Sequence, residues 1–267
     1  MQIKINEKNA DVADGLTLGA VAALHKPDAD VLILNGFPAP ADTQLGEADE
    51  LFLIRRGEIP TEDELEGLMA ARHTPGVHAC LKQAVVGIAG VGGLGSAVAV
   101  ALARVGVGRL VIADFDVVEP SNLNRQQYFI DQIGQYKVDA LVENLARINP
   151  YVAVKAHRTL LAPENIPDFF STCQVVVEAF DRADMKAMLV NCVLELLPQS
   201  TVVAASGVAG YGPNNSIVTR AVSRRLYLVG DAVSEAAPGS GLMAPRVGIA
   251  ACHQANQVIR ILLGEGP

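Results

Sequence analysis

Short apolar runs separated by turn residues make up the N-terminal part of the chain. Residues 1–5 alternate polar and apolar positions, which predicts a half-buried strand, and residues 10–14 are a candidate hairpin partner. Residues 16–24 predict a short helix with Thr17 as the candidate N-cap. Two apolar runs then predict further strands, at residues 31–34 and 51–54. The order ββ-α-β-β fits a small β-grasp module.

A helical connector is predicted over residues 58–80. Thr61 and Glu64 have the spacing of a capping box, which places the start of a helix there. Pro75 and Gly76 are expected to end this helix, because proline cannot continue a helix and glycine favours its C-terminus.

From residue 81 the pattern changes to strands that alternate with helices. Residues 137–149 carry Val138, Leu141 and Leu145 on one helical stripe. Continuous apolar runs, typical of buried parallel strands, cover residues 84–89, 109–114, 174–178 and 201–205. The alternation predicts an α/β fold with a doubly wound, Rossmann-like, mainly parallel sheet, which follows the β-grasp (ubiquitin-like) module.

Composition narrows the class of protein. Half of the 267 residues are apolar and 19% are charged, which is enough for a large core. The net charge of −8 argues against a broad nucleic-acid surface. The apolar stretch 84–113 contains Arg104, Arg109 and several glycines, which argues against a membrane span.

The cysteines argue against a structural zinc site. Four of them stand alone, without any Cys-x-x-Cys pair: Cys80, Cys173, Cys192 and Cys252. Tetrahedral zinc normally needs such pairs or clustered histidines, so no zinc is expected. The pattern predicts reduced, mostly buried thiols in a cytoplasmic protein.

A glycine-rich turn follows the first strand of the α/β part. Its sequence over residues 90–95, Gly-Val-Gly-Gly-Leu-Gly, matches G-x-G-x-x-G through Gly90, Gly92, Gly93 and Gly95. Such a turn lets backbone N–H groups approach a phosphate at a helix start. Asp114 ends the next strand, where a carboxylate can take ribose hydroxyls. This motif by itself indicates a nucleotide, and a dinucleotide-dependent oxidoreductase or a packing turn stays open.

A dense polar cluster follows Asp114 at the edge of the predicted sheet. Arg125 can hold phosphate oxygens bidentately, Asn122 and Asn124 can orient ribose or phosphate, and Lys137 adds a positive charge. Each residue taken singly could be a turn former or a solvated charge. The whole cluster favours a site that splits a triphosphate, and its members are Asp116, Asn122, Asn124, Arg125, Gln126 and Lys137.

These motifs together resemble the ThiF/MoeB/ubiquitin-activating superfamily. The resemblance rests on Gly-x-Gly-Gly-Leu-Gly, Asp-x-Asp, Ser-Asn-Leu-Asn-Arg-Gln and a following lysine, and it covers roughly residues 72–264. Residues 1–57 resemble the ThiS family of ubiquitin-like sulfur carriers. The chain thus divides into a ThiS-like module over 1–57, a connector over 58–80 and an adenylating domain over 81–267.

The resemblance implies an ATP-dependent adenylyltransferase. Such an enzyme joins AMP to the C-terminal carboxylate of a ubiquitin-like sulfur carrier with a free Gly-Gly end and releases pyrophosphate. The ThiS-like module favours the thiamine thiazole pathway. Carriers of molybdopterin or cysteine synthesis, or a modified tRNA base, are alternatives, and an oxidoreductase or a non-catalytic scaffold are rivals of another class.

The same resemblance implies roles for single residues. The glycines would lie on the nucleotide, Asp114 would hold ribose, and Asn122, Arg125 and Lys137 would face the triphosphate. Asp181 would be the Mg²⁺ ligand, with a helix N-cap as the simpler alternative. Arg72 would reach the partner's ATP across a homodimer interface, or would be a local cation at a helix end.

Two departures from the family pattern limit the expected chemistry. The module runs through Gly57 into Glu58, so it has no free C-terminal carboxylate and is not expected to act as a carrier. The glycine-rich loop at residues 205–213 has no cysteine and is expected to shape the channel for the carrier's tail. Covalent sulfur transfer by this chain is therefore not expected.

Overall fold

The computed structural model describes residues 1–59, 61–74 and 76–265. The chain divides into two compact units, with the boundary between Ala79 and Cys80. None of the described helices is long and apolar enough to cross a bilayer.

The first unit contains a five-stranded sheet with the strand order β2-β1-β5-β3-β4. Strands β1 and β5 run parallel, and the other neighbours are antiparallel. One face packs on helix α1 through a buried cluster that includes Ile3, Leu18, Val21, Leu51 and Leu53. The predicted β-grasp module is confirmed, and its elements are β1 (Gln2–Ile5), β2 (Lys8–Asp11), α1 (Leu18–His25), β3 (Val31–Leu34), β4 (Phe37–Pro38) and β5 (Glu50–Ile54).

Local chemistry explains where the module departs from expectation. The hairpin partner starts at Lys8 rather than residue 10, because Asn6 and Glu7 both adopt positive φ and form a two-residue turn. Asn6 is held there by the backbone N–H of Leu53, which donates to its Oδ1 at 2.9 Å. The predicted cap of α1 is confirmed, since the N–H of Ala20 donates to Oγ1 of Thr17 at 3.2 Å.

Two helices, rather than one, follow the module: α2 (Glu62–Ala70) and α3 (Val77–Gln83). The predicted capping box is wrong in its bonding, because the Thr61 hydroxyl donates to the Glu64 carboxylate and makes no cap bond to the backbone. Helix α2 ends at Ala70, and the predicted stop at Pro75 lies outside the described residues.

The second unit is built on a seven-stranded sheet with the order β11-β12-β10-β9-β6-β7-β8. Every neighbouring pair is parallel except β11 and β12, which confirms the doubly wound, mainly parallel architecture. The sequence analysis missed β8, β11 and β12. The strands are β6 (Val85–Ala89), β7 (Arg109–Asp114), β8 (Ala153–Arg158), β9 (Val175–Glu178), β10 (Thr201–Ala205), β11 (Val218–Ser223) and β12 (Leu226–Gly230).

In the part of the chain that the structure describes, five α-helices after β6 accompany this sheet. They are α4 (Gly93–Arg104), α5 (Lys137–Ile148), α6 (Ile166–Phe170), α7 (Ala183–Leu196) and α8 (Ala244–Leu262). Strand β9 is buried throughout and β6 is buried apart from Val85, as expected of parallel strands with both faces covered.

The thiols are less uniformly buried than predicted. Cys173 is buried and Cys192 is half-buried, but Cys80 and Cys252 are exposed on helices α3 and α8. Burial raises the pKa of the Cys173 thiol to about 12, so this residue behaves as a small core hydrophobe.

Candidate active site

The site lies where the parallel strands of the second unit reach their carboxyl ends. The glycine turn follows β6, the polar cluster follows β7, and Asp181 follows β9. Open α/β sheets bind ligands in the crevice outside this edge.

The glycine turn has a geometry that only glycine tolerates at two positions. Gly90 adopts φ of +84°, and a Cβ on Gly95 would lie 1.9 Å from the carbonyl oxygen of Gly90. Gly92 is the N-cap of α4 and makes no side-chain cap bond. The helix N-terminus therefore offers its backbone N–H groups and its positive dipole end to an anion.

Asp114 braces this turn from β7. Its Oδ2 accepts the N–H of Val91 at 2.8 Å, and its Oδ1 accepts the N–H of Asp116 at 2.9 Å. Burial raises the pKa of Asp114, while these two amides and the charge of Lys137 act in the opposite direction. The carboxylate thus links the glycine turn to the polar cluster, and its contact with ribose stays a prediction.

Two further braces were not found from sequence. The buried Tyr128 donates its hydroxyl to the carbonyl of Val91 at 2.7 Å. Ser96 donates to the carbonyl of Gly92 at 2.6 Å and accepts the N–H of Gln127 at 3.1 Å. Neither residue belongs to the glycine motif, so no spacing rule points to them.

Arg125 packs directly over the start of α4. Its Cγ lies 3.4 Å from the position that a Cβ on Gly93 would take. Its guanidinium donates to the carbonyl of Ser121 at 3.2 Å and to Oδ1 of Asn124 at 2.8 Å. Asn124 in turn donates to the carbonyl of Leu242 at 3.1 Å, just before α8. The aliphatic part of Arg125 therefore lies against the start of α4, and the contact of its guanidinium with a phosphate stays a prediction.

Lys137 and Asp116 form an ion pair beside this turn. The ammonium lies 2.8 Å from Oδ2 of Asp116, and Lys137 is only 6% exposed. The Lys137 N–H also donates to the Asp116 carbonyl at 2.9 Å, which fixes the first turn of α5. Both residues belong to the predicted polar cluster, but the ion pair between them was not predicted.

Two buried amides complete the cluster. Asn122 uses Oδ1 to accept the N–H of Glu119 at 3.0 Å, which gives it a role in the turn itself. Gln126 is buried next to Gly92, and among the described residues its Oε1 has no hydrogen-bond partner. A buried acceptor without a partner is costly, so Gln126 is the amide best suited to meet a ligand.

Asp181 stands exposed three residues beyond the end of β9. Its alternative role as the N-cap of α7 is wrong, because Arg182 holds that position and makes no side-chain cap bond. Asp184 is occupied by an ion pair with Arg182. Over the described ranges, no group of three or more metal-ligating side chains forms. One open carboxylate fits Mg²⁺, which keeps water and takes its other ligands from nucleotide phosphates.

A pocket of about 750 Å³ opens at the ends of β10 and β12. Residues of loops 209–218 and 231–240 line it together with Arg220 and Arg246. Arg246 is 5% exposed and pairs with Asp231 at 2.7 Å, and it also donates to the carbonyl of Gly212 at 3.1 Å. Its Nε has no hydrogen-bond partner among the described residues. The pocket therefore combines small residues with a buried cation.

Arg72 belongs to the first unit, two residues beyond the end of α2, and is exposed. Its assignment to a partner's site stays a prediction.

Comparison with known protein families gives two matches that together cover nearly the whole chain. The model described as the ThiF family matches residues 69–267, and the model described as ThiS-like ubiquitin matches residues 1–57.

Curated relatives match the larger part. The molybdopterin-synthase adenylyltransferase of Escherichia coli strain K12 is 31% identical over 195 residues, which cover 70% of this chain and 76% of the relative. The adenylyltransferase and sulfurtransferase uba4 of Pyricularia oryzae is 32% identical over 197 residues, covering 68% of this chain and 39% of the relative. The corresponding uba4 of Aspergillus niger is matched over only 21% of its length.

Among solved structures, the E. coli tRNA N6-threonylcarbamoyladenosine dehydratase in complex with ATP has a similar fold. Its TM-score is 0.69 at 20% identity, and the match covers 78% of this chain and 98% of that one. At this identity the likeness shows the fold alone.

Proposed function

This chain belongs to the ThiF family, and we propose that it adenylates the C-terminal carboxylate of a separate ubiquitin-like sulfur carrier of the ThiS type. One observation carries the proposal. A glycine turn, two cations and a buried amide oxygen without a partner among the described residues lie at the same sheet edge that holds the pocket with Arg246. The first group suits ATP, and the pocket suits the extended tail of an acceptor.

The proposed reaction forms one bond to the α-phosphorus of ATP and breaks another. A carboxylate oxygen of the carrier attacks the α-phosphorus of ATP, and the bond from that phosphorus to the oxygen of the leaving pyrophosphate breaks. The carboxylate is already ionised at neutral pH, so no general base is needed. Catalysis then consists of positioning and charge stabilisation.

The chain's own residues divide these tasks. Arg125 and Lys137 offset the charge that develops on the leaving pyrophosphate. Asp114 and Tyr128 keep the glycine turn in place through the two backbone groups of Val91. Asp181 would hold Mg²⁺, which supplies further positive charge at the phosphates when bound.

The ThiS-like module supports the thiamine thiazole pathway as the setting, and the carrier is a separate chain. In the module, the segment that corresponds to a carrier's tail is tied back to its own fold. Arg55 pairs with Asp28, Lys26 pairs with Glu58, and the N–H of Arg56 donates to Asp30. This arrangement suits a structural or docking role.

The proposed assembly is a homodimer in the cytoplasm, with Arg72 serving the partner's ATP. Isolated cysteines suit the reducing cytoplasm, and the charge of −8 does not favour a nucleic-acid substrate or an anionic membrane.

A carrier of molybdopterin synthesis is the second candidate acceptor, supported by the 31% identity to the E. coli molybdopterin-synthase adenylyltransferase. The discriminating experiment is ATP–pyrophosphate exchange with purified carriers of both types and with tRNA. Exchange that requires a ThiS-type carrier with an intact Gly-Gly end is the expected result. Exchange with tRNA alone would reject the proposal, and nucleotide binding without any exchange would indicate a scaffold.

A further inference from the structure

Strand β9 ends in a carboxylate that the reaction does not use. Glu178 is fully buried, with 0% of its surface exposed. Its Oε1 accepts the backbone N–H of Phe180 at 2.7 Å, and its Oε2 accepts the backbone N–H of Ala205 at 3.3 Å. Both oxygens also accept the ammonium of Lys186 from α7, each at 3.0 Å.

The lysine completes a closed network. Its ammonium makes a third bond, to the backbone carbonyl of Ala205 at 3.1 Å, so its three protons each have an acceptor. Burial raises the pKa of Glu178, and the charge of Lys186 with the two amides opposes that rise. The pair therefore holds both the N–H and the C=O of Ala205.

These bonds begin where the backbone ladder stops. Strands β9 and β10 pair from Val175 with Thr201 up to Val177 with Val203, and the pairing goes no further. Beyond it, Glu178 takes the N–H of Ala205, and the side-chain amide of Gln254 donates to the carbonyls of Glu178 and Val203 at 3.0 and 3.2 Å. Side chains replace the ladder at the point where the two strands lead into separate loops.

Those two loops belong to the two halves of the site. Phe180 precedes Asp181, on the side of the nucleotide phosphates, and Ala205 leads into the glycine-rich loop that lines the pocket. We propose that Glu178 and Lys186 are positioning residues that hold the phosphate side and the acceptor side of the crevice in register. The inference rests on the proposed function, since the register is the one that an acceptor carboxylate needs to approach the α-phosphorus.

A purely structural role would not require an ion pair between Glu178 and Lys186. Burying a charge such as that of Glu178 is costly even though its partner Lys186 is partly exposed, and well-packed apolar residues of similar volume often stabilise a protein as well or better. We call the link that Glu178 and Lys186 make between the Phe180 loop and Ala205 the joint. An ion pair at the joint is explained by the need to hold the two loops accurately, because a misplacement of about 1 Å can slow a reaction a hundredfold.

The test compares Lys186→Met, Lys186→Arg and the control Asp184→Asn in the full-length chain. Asp184 pairs with Arg182 on the exposed surface of the same turn, so its loss removes a nearby charge without touching the joint. Hydrogen–deuterium exchange at residues 178–182 and 204–208 measures how well the joint protects the backbone of both loops. ATP–pyrophosphate exchange at saturating ATP and carrier measures the effect of the joint on the reaction.

Lys186→Met is expected to speed amide exchange in both segments and to lower kcat at least about tenfold. The KM for ATP should stay within about threefold, since the glycine turn and Arg125 are untouched. Lys186→Arg should restore kcat and protection, and Asp184→Asn should resemble the wild type.

If Lys186→Met leaves the amide exchange of both segments unchanged, the proposal that the pair holds the two loops together is wrong. Faster amide exchange with an unchanged kcat would reduce the pair to a structural feature and overturn the positioning role. If Lys186→Met is too unstable at the assay temperature, Glu178→Gln provides the same readouts, because it keeps the side-chain volume and one acceptor oxygen. A wild-type chain inactive with every carrier would defeat the proposed function, and the amide exchange would still decide whether the pair joins the loops.

Discussion

Arg125 and Lys137 bring the two cations of the candidate phosphate site to the crevice from different elements. Arg125 lies over Gly93 at the start of α4, and Lys137 begins α5 in an ion pair with Asp116. Arg125→Ala and Lys137→Met should each lower ATP–pyrophosphate exchange by about two orders of magnitude, the usual loss for one transition-state charge contact.

Arg104→Ala is the matched control for this pair of variants. Arg104 is exposed in the last turn of α4, at the far end of the same helix from the glycine turn. Its loss should leave exchange within about threefold of the wild type, as surface substitutions normally do. Near-normal exchange in both Arg125→Ala and Lys137→Met, with melting temperatures unchanged, would contradict the phosphate-site assignment.

Asp181 is an exposed carboxylate, and the N-cap position of α7 belongs to Arg182 instead. Asp181→Asn should shift the magnesium dependence of exchange to higher concentration while nucleotide binding without metal is largely preserved, because the amide is a weaker ligand for a hard cation. A magnesium titration of both proteins measures the shift. Superimposable titrations would leave Asp181 without a metal role.

At the scale of elements, the glycine turn between β6 and α4 makes the sharpest steric prediction. A Cβ on Gly95 would lie 1.9 Å from a backbone oxygen that cannot rotate away, so Gly95→Ala must displace the turn. It should lose ATP binding, measured by calorimetry, and lower the melting temperature.

Gly248→Ala supplies the control for Gly95→Ala. Gly248 lies inside α8, and a Cβ there meets nothing within 4 Å. Because alanine is the better helix former by up to about 1 kcal/mol, this variant should keep or raise stability and retain ATP binding. Gly95→Ala with wild-type affinity would show that the turn does not depend on close backbone approach.

How far the sequence predicts these elements depends on where their signals lie. The buried strands β6, β7, β9 and β10 have continuous apolar runs, and they were predicted within a residue or two. Strand β8, Ala-Val-Lys-Ala-His-Arg, is an edge strand with polar residues, so periodicity alone did not reveal it. Strands β11 and β12 form an antiparallel hairpin with β11 at the other edge, and β12 also pairs in parallel with β10.

In the candidate site, too, residues with a local sequence signal could be predicted and residues joined only by tertiary packing could not. Its glycines and most of its polar cluster each lie within one short stretch of sequence and carry the superfamily resemblance, so they could be named in advance. Its braces come from separate elements: Tyr128 reaches Val91 across 37 positions, and Arg246 reaches Asp231 and Gly212 from α8. Bonds between distant positions follow from tertiary packing, which one sequence does not reveal.

At the scale of the whole molecule, the ThiS-like module raises the question of which carboxylate is adenylated. Gly57 is followed by Glu58 in the chain, and Glu58 forms an ion pair with Lys26. Full-length protein given ATP alone should therefore yield no adenylated chain by intact mass. Adding a separate carrier with a Gly-Gly end should yield an adenylated carrier, and a carrier that lacks its last glycine should not. A cleaved fragment that ends at Gly57 and becomes adenylated would contradict this.

The predicted homodimer is tested through Arg72. The mixing experiment uses a magnesium concentration that supports the wild type but not Asp181→Asn. If Arg72 neutralises triphosphate charge in the partner's site, Arg72→Ala and Asp181→Asn chains are then each inactive alone but complement each other when mixed. The mixed dimer has one site that lacks both groups and one that is complete, so random exchange of equal amounts should restore about a quarter of the wild-type activity. If Arg72 acts on the triphosphate of its own chain, every site in the mixture stays defective and no activity returns. If Arg72 is only a local cation at the end of α2, worth about 0.3–1 kcal/mol of stability, Arg72→Ala stays active without mixing. Sedimentation at the assay concentration comes first, because a monomer there would contradict the proposal before any mixing.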